Sequence, residues 1–173
     1  MKNTMILAAT MIATLTTVPA TANNNNPKPL AERVRHELVM LPWVSVYDNM
    51  SFRVDGDTVT LFGSTVRPVL KSSAANVVAK LEGVNRVVNE IEVLPLSPFD
   101  DRIRLATARA IYGYGPLQRY GLGANPSIRI IVKNGNVSLQ GVVASEMDKN
   151  LAFIRANGVS GSFAVANDLR IER

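Results

Sequence analysis

The chain has 173 residues, 47% apolar and 19% charged, with a formal net charge of +5. It has no cysteine and one histidine, which excludes a disulfide framework, a thiolate zinc site, a cysteine nucleophile, a lipid-anchored N-terminal cysteine and a histidine-rich metal site. The excess positive charge is one-sided: residues 23–96 hold eight Lys/Arg and eight Asp/Glu, residues 97–173 hold ten and six.

Residues 1–22 read as an export signal. Lys2 supplies the positive start, Met5 to Val18 is an apolar run diluted by four threonines, and Ala20-Thr21-Ala22 is a cleavage signal that would place the mature start at Asn23. The run is shorter than the ~20 residues a membrane span needs. Residues 23–28 are polar and aperiodic, the pattern of a disordered leader.

An internal repeat follows, at a fixed offset of 78 residues. Val59-Thr60-Leu61-Phe62-Gly63 matches Val137-Ser138-Leu139-Gln140-Gly141. The same offset carries Gly83 onto Gly161, Val87 onto Val165, Asn89 onto Asn167 and Ile91 onto Leu169. A period this long exceeds that of solenoid repeats, so each copy should be a small domain. In the first copy Leu30, Val34, Leu38 and Leu41 recur at helical spacing up to Pro42. Phe52 and Val54 alternate as a strand, Asp55-Gly56 turns the chain, and Val59 and Leu61 form the return strand. Leu70, Ala74, Val77, Val78 and Leu81 make a second amphipathic helix, with Gly83 as its expected C-terminal cap. Val87, Ile91 and Val93 alternate as the last strand.

The second copy repeats the plan, with Asn134-Gly135 as its turn, a helix over 146–156 and a last strand carrying Val165, Leu169 and Ile171. The expected fold is α+β: two tandem αββαβ modules, 29–94 and 99–173, each with two helices packed on a three-stranded mixed sheet. Pro95-Leu96-Ser97-Pro98 is a short, stiff junction. Val59, Leu61, Val137 and Leu139 are expected in the cores. Gly63 and Gly141 are read as sites of close approach or a bulge, and Asn89 and Asn167 as satisfying local backbone groups.

The motifs Val59-x-Leu61-x-Gly63, Gly83-Val84-x-x-Val87-Val88-Asn89, Val137-x-Leu139-x-Gly141 and Val165-Ala166-Asn167 resemble those of the BON family, named for bacterial osmotically induced and nodulation proteins. The likeness spans nearly all of the chain after the export signal, and Gly161-Ser162 stands where the family pattern has Gly-Val. The resemblance implies a periplasmic αββαβ module associated with envelope stress, phospholipid binding or outer-membrane maintenance, and no catalytic residues. Residues 111–127 depart from it by inserting a Gly/Tyr-rich loop between the first helix and first strand of the second module.

Few residues invite a chemical role. Glu32, His36 and Glu37 share the first helix, but without a second histidine a solvated face is the expected reading. Gly158-Val159-Ser160-Gly161 has the G-x-x-G spacing of an RNA clamp but lies between a helix and a strand, where a plain turn is expected. No nucleophile elbow or P-loop occurs.

The unusual segment is 102–145, with six basic residues and no acidic one. Arg102, Arg104, Arg109 and Arg119, with Tyr112, Tyr114 and Tyr120, are the candidate lipid-binding residues. Arginine pairs bidentately with phosphate, and tyrosine suits the water–lipid boundary. Arg102 and Arg109 lie two turns apart on one helix face, with Arg104 elsewhere around it. The alternative is a flexible surface loop above an ordinary basic helix.

The expectation is a non-enzymatic periplasmic binding protein of the envelope that associates with anionic phospholipid and supports envelope or osmotic-stress integrity. Its alternative is a protein-interaction or chaperone-like module. No metal, cofactor or nucleic acid is expected.

Overall fold

The computed structural model describes residues 28–123 and 125–172. The export signal and nearly all of the leader therefore lie outside the described residues. Among the described residues, no helix is long and apolar enough to cross a membrane.

The first module runs α1 (Leu30–Val39), β1 (Asn49–Asp55), β2 (Thr58–Thr65), α2 (Pro68–Ala79) and β3 (Arg86–Val93). The second runs α3 (Pro98–Tyr112), α4 (Gly115–Gln118), β4 (Ile128–Lys133), β5 (Asn136–Val143), α5 (Glu146–Asn157) and β6 (Ala164–Ile171), with a 3-10 turn at Arg119–Gly121 after α4. The fold is α+β, two tandem modules. Each sheet has its middle strand antiparallel to the first and parallel to the last, in the order β1-β2-β3 and β4-β5-β6.

Local sequence explains the element ends. Pro68 and Pro98 occupy the first turns of α2 and α3, where a missing amide hydrogen is harmless. Ser97 and Ser145 cap α3 and α5 by accepting the amides of Asp100 and Asp148, each at 3.1 Å. Both hairpin loops have two residues. Asn134 and Gly135 both take positive φ (51° and 76°), whereas in the first module only Gly56 does among the turn residues (62°).

Each module has its own core. Val34, Leu38, Val59, Leu61, Ala74, Val78 and Ile91 fill the first. Ile103, Ile111, Leu117, Ile128, Ile130, Val137, Leu139 and Leu169 contribute to the second. Val59, Leu61, Val137 and Leu139 are all buried. Gly63 and Gly141 take φ of 115° and 116°, and a Cβ there would lie 2.1 Å from the Asn49 carbonyl oxygen and 1.9 Å from that of Ser127. No other residue fits so close an approach of strands.

Three details differ from the sequence reading. Gly83 lies in the turn before β3 at φ 85°, while Lys80 caps α2, because the helix ends in a right-handed residue. Asn167 differs from the local reading and Asn89 goes beyond it: Nδ2 donates to Lys149 O at 3.0 Å and to Lys71 O at 2.7 Å, while Asn89 Oδ1 also accepts the local Ile91 amide at 3.2 Å. Each thereby ties the last strand to the helix before it. The inserted segment is folded over 111–121, because Ile111, Leu117 and Tyr120 supply enough apolar surface to bury against the second core.

The modules meet along the α1–β1 connection. Ile130 N on the outer edge of β4 donates to Val46 O at 2.8 Å, and Arg129 Nη1 donates to Ser45 O at 2.9 Å. Asn49 bonds Gln140 at 2.6 Å, and Lys133 pairs with Glu92. An edge strand that would expose unpaired amides is thus partly covered by the first module. Tyr47 reaches across to pack on the second core.

Candidate functional site

The structure disperses the seven candidate lipid-binding residues. On α3, Arg102 and Arg109 are exposed and Arg104 is inward, as the helical spacing requires. The Arg104 side chain is only 4% exposed; Nη2 donates to Val132 O at 2.7 Å and Nη1 to Asp101. It pins α3 to β4 and offers little to a surface ligand.

The tyrosines also turn inward. The Tyr112 hydroxyl donates to Ile128 O at 2.6 Å, and burial raises its pKa. Tyr114 is half-buried beneath Arg155, whose guanidinium lies 4.9 Å from the ring centre. Tyr120 is buried and joins Arg119 in a network around Asp148. Its hydroxyl donates to Asp148 Oδ2 at 2.8 Å and accepts the Ala144 amide at 2.9 Å. Arg119 donates to both the Tyr120 hydroxyl (2.9 Å) and Asp148 (2.7 Å). The Ser145 hydroxyl donates to the same carboxylate oxygen at 2.7 Å. That Ser145 bond, then the Tyr120 bond and the Arg119 charge, hold Asp148 below the ordinary carboxylate range against the opposing effect of burial. The network clamps the inserted segment to α5.

An unforeseen cluster surrounds Arg102. Its guanidinium lies 5.7 Å from the ring centre of Phe99, and Phe99 lies 6.0 Å centre to centre from Phe163. Phe163 is 75% exposed and Phe99 38%. The cluster is rigidly built. Phe163 N donates to Gly135 O at 2.8 Å, and its ring lies over Gly135, where a Cβ would come within 2.6 Å of it. The neighbouring Asp100 is buried and accepts the Asn134 and Gly135 amides at 3.0 and 2.8 Å, so it adds no free charge to the surface. One sequence signal for Phe163 existed: at the repeat offset it stands where the first module has Asn85.

A second exposed apolar patch lies on the first module. Trp43 is 71% exposed with its backbone in the left-handed region (φ 70°), beside Met40 and Val39 at the end of α1. Arg67 lies 6.0 Å from the ring centre. A bulky residue rarely takes this conformation.

His36 lies on an exposed face, 3.6 Å from Glu37. Among the described residues, no group of three or more His, Asp or Glu is placed to hold a metal ion. The Gly158–Gly161 segment is the turn between α5 and β6.

Two αββαβ units of this build, each with a glycine-pinned hairpin and an asparagine-tied last strand, define a doubled α+β module. The chain belongs to the BON domain family, which it matches at residues 28–95 and 117–173. The second match begins after α3, although α3 packs on β4 and α5 as an integral helix of the second module. Among curated proteins, none matches the sequence. Two solved structures of CdsD, a structural protein of the type III secretion system of Chlamydia trachomatis, are similar at 12% identity. One, its C-terminal domain, has a TM-score of 0.34 and covers 83% of this chain and 98% of that chain. The other has a TM-score of 0.33, with 83% and 92% covered.

Proposed function

We propose that this is a non-enzymatic periplasmic protein of the cell envelope that associates peripherally with anionic phospholipid, in support of envelope or osmotic-stress integrity. The observation that carries the reading is the Phe99–Phe163 pair with Arg102 over it, an exposed aromatic surface crowned by a cation on the basic module. Each basic residue near an anionic surface contributes roughly 1 kcal/mol. An aromatic side chain withdrawn from water adds ~1.5–3 kcal/mol. The sum predicts weak, reversible, salt-sensitive binding. Of the sequence candidates, Arg102 and Arg109 fit this role best, with Arg119 engaged at Asp148.

Export rests on the signal-like residues 1–22, and cell fractionation with N-terminal sequencing checks it. Recovery near Asn23 in the periplasm is expected, and an intact Met1 form in the membrane would refute it. For the lipid reading, the protein should pellet with phosphatidylglycerol vesicles at low salt and not with phosphatidylcholine vesicles. Release at high salt is expected because exposed charges are screened over about 8 Å at physiological ionic strength. Equal pelleting with both lipids would contradict it.

A second reading, a protein-docking or chaperone-like module, is favoured by the strained, exposed Trp43 with Met40 and Val39. Strained backbone tends to collect at functional sites.

A further inference from the structure

The last strand of the second module leaves one backbone edge open. β6 has β5 as its strand neighbour, and α5 is the helix packed against it. Glu172 N donates inward to Val143 O at 2.8 Å, in line with the parallel register of β5 and β6. Backbone groups alternate in direction along a strand. The even-numbered residues of β6 therefore bond β5, and the amides and carbonyls of Val165, Asn167, Leu169 and Ile171 point out of the sheet. Among the described residues, no strand pairs with that edge. An uncovered edge is a template for a further strand.

The side chains select the strand that fits. Asp168 and Arg170 are exposed on one face of β6, while Leu169 between them is buried on the other. Asp168 Oδ2 accepts from Ser138 Oγ at 2.9 Å, and Ser138 Oγ accepts from Gln140 Nε2 at 2.9 Å, so the carboxylate is held in place. Arg170 makes no ion pair among the described residues. A second β6, laid antiparallel about a two-fold axis at Leu169, sets Asp168 of each copy opposite Arg170 of the other. Those are non-hydrogen-bonded positions, where facing side chains come closest. The hydrogen-bonded positions are then Leu169 opposite itself and Asn167 opposite Ile171, the residues whose backbone groups point outward. Charge and backbone direction thus agree on one register. The first module carries the contrasting edge. At the repeat offset, β3 has Glu90 and Glu92 where β6 has Asp168 and Arg170. The same two-fold axis at Ile91 would face like charges, which opposes pairing.

We propose that β6 is a self-complementary edge through which a second copy of this chain docks, joining the two second-module sheets into one continuous sheet. The contact uses the same patch on both copies, so it closes at two. A single strand pair is a small interface, and the dimer is reversible. The pairing needs no membrane, so it stands or falls separately from the vesicle association.

The test is sedimentation of the purified protein without lipid, over about 10–500 μM, a range that reads weak association. The parent should dimerise reversibly. Arg170→Asp leaves two acids on the edge and Asp168→Arg leaves two bases, so each alone should weaken self-association at least about tenfold. An equimolar mixture of these two variants should recover dimers, because acid then faces base at both positions. Recovery in the mixture also shows that the single variants fold. The double variant, Asp168→Arg with Arg170→Asp, should dimerise like the parent. The chain has no cysteine, so a cross-link reads the register directly. Asp168→Cys mixed with Arg170→Cys should form the mixed disulfide in preference to either homodimer, since Cα atoms at such positions lie about 4.5 Å apart. A parent that stays monomeric, or single variants that associate as the parent does, would overturn the proposal. So would a mixture that stays monomeric, or growth beyond a dimer by head-to-tail pairing of β6 with β3.

Discussion

The two modules share a frame and differ at one connection. The hairpin glycines Gly63 and Gly141 and the strand-to-helix asparagines Asn89 and Asn167 solve the same packing problems 78 residues apart. The amide just after the middle strand does not find the same partner. In the first module Val66 N donates to Asp48 at 2.8 Å, and Asp48 also accepts from Thr65 Oγ1 and from Ser45 N and Oγ. In the second, Ala144 N donates to the Tyr120 hydroxyl, which passes its own proton toward Asp148. Asp148 itself stands where the first module buries Leu70. The longer connection of the second module is thus anchored by exchanging a core leucine for a carboxylate. Duplication preserved the strands and second helices, and the helix-to-strand connections became free to build the module junction and the surfaces around it.

The strongest way to break the comparison is through the equivalent core leucines. Leu61→Ala and Leu139→Ala should each cost about 2–5 kcal/mol, read from denaturant unfolding. An unchanged midpoint for both would contradict the shared core position. The connections give the next effect. Asp48→Ala leaves the partly buried Val66 amide without its acceptor and removes the Thr65 and Ser45 bonds to the carboxylate, about 2–4 kcal/mol, whereas Tyr120→Phe removes one acceptor and one donor, about 1–3 kcal/mol. If Tyr120→Phe destabilised more than Asp48→Ala, the assignment of the two anchors would be reversed.

A smaller effect appears with pH. The Asp148 carboxyl is held below its ordinary range in the folded chain, first by the Ser145 hydroxyl. Its contribution to stability is then complete above the unfolded value of about 3.9 and is lost as pH falls through the lower folded value. Asp148→Asn should be less stable than the parent at neutral pH, and the gap should narrow below about pH 4. A gap that stays constant down to pH 2 would show that the charge of Asp148 contributes nothing.

The frame was legible because its signals are local and doubled: alternation, turn pairs and a constant offset. The surface around the basic half was not. Arg104 looks like a free cation in sequence, but its acceptor, Val132 O, lies 28 residues away. Arg119 lies in a run without acids, yet its partner Asp148 is 29 residues on. Charge read along a chain ignores such closures. The repeat, used as a subtraction, says more. Ile131 replaces the exposed Arg53 because the second sheet is covered there by the junction beside Leu94. Phe163 replaces Asn85 and stays exposed.

That difference sets the most direct test of the account. Vesicle pelleting with phosphatidylglycerol at low salt should compare the parent protein with a second-module pair, Arg102→Glu with Phe163→Ser, and a first-module variant, Arg53→Glu. All three changes are at exposed positions, so folding should be retained. Loss of about tenfold or more in vesicle affinity for the second-module pair, with little change for Arg53→Glu, is the predicted result. Full binding by the second-module pair together with loss in Arg53→Glu would contradict it.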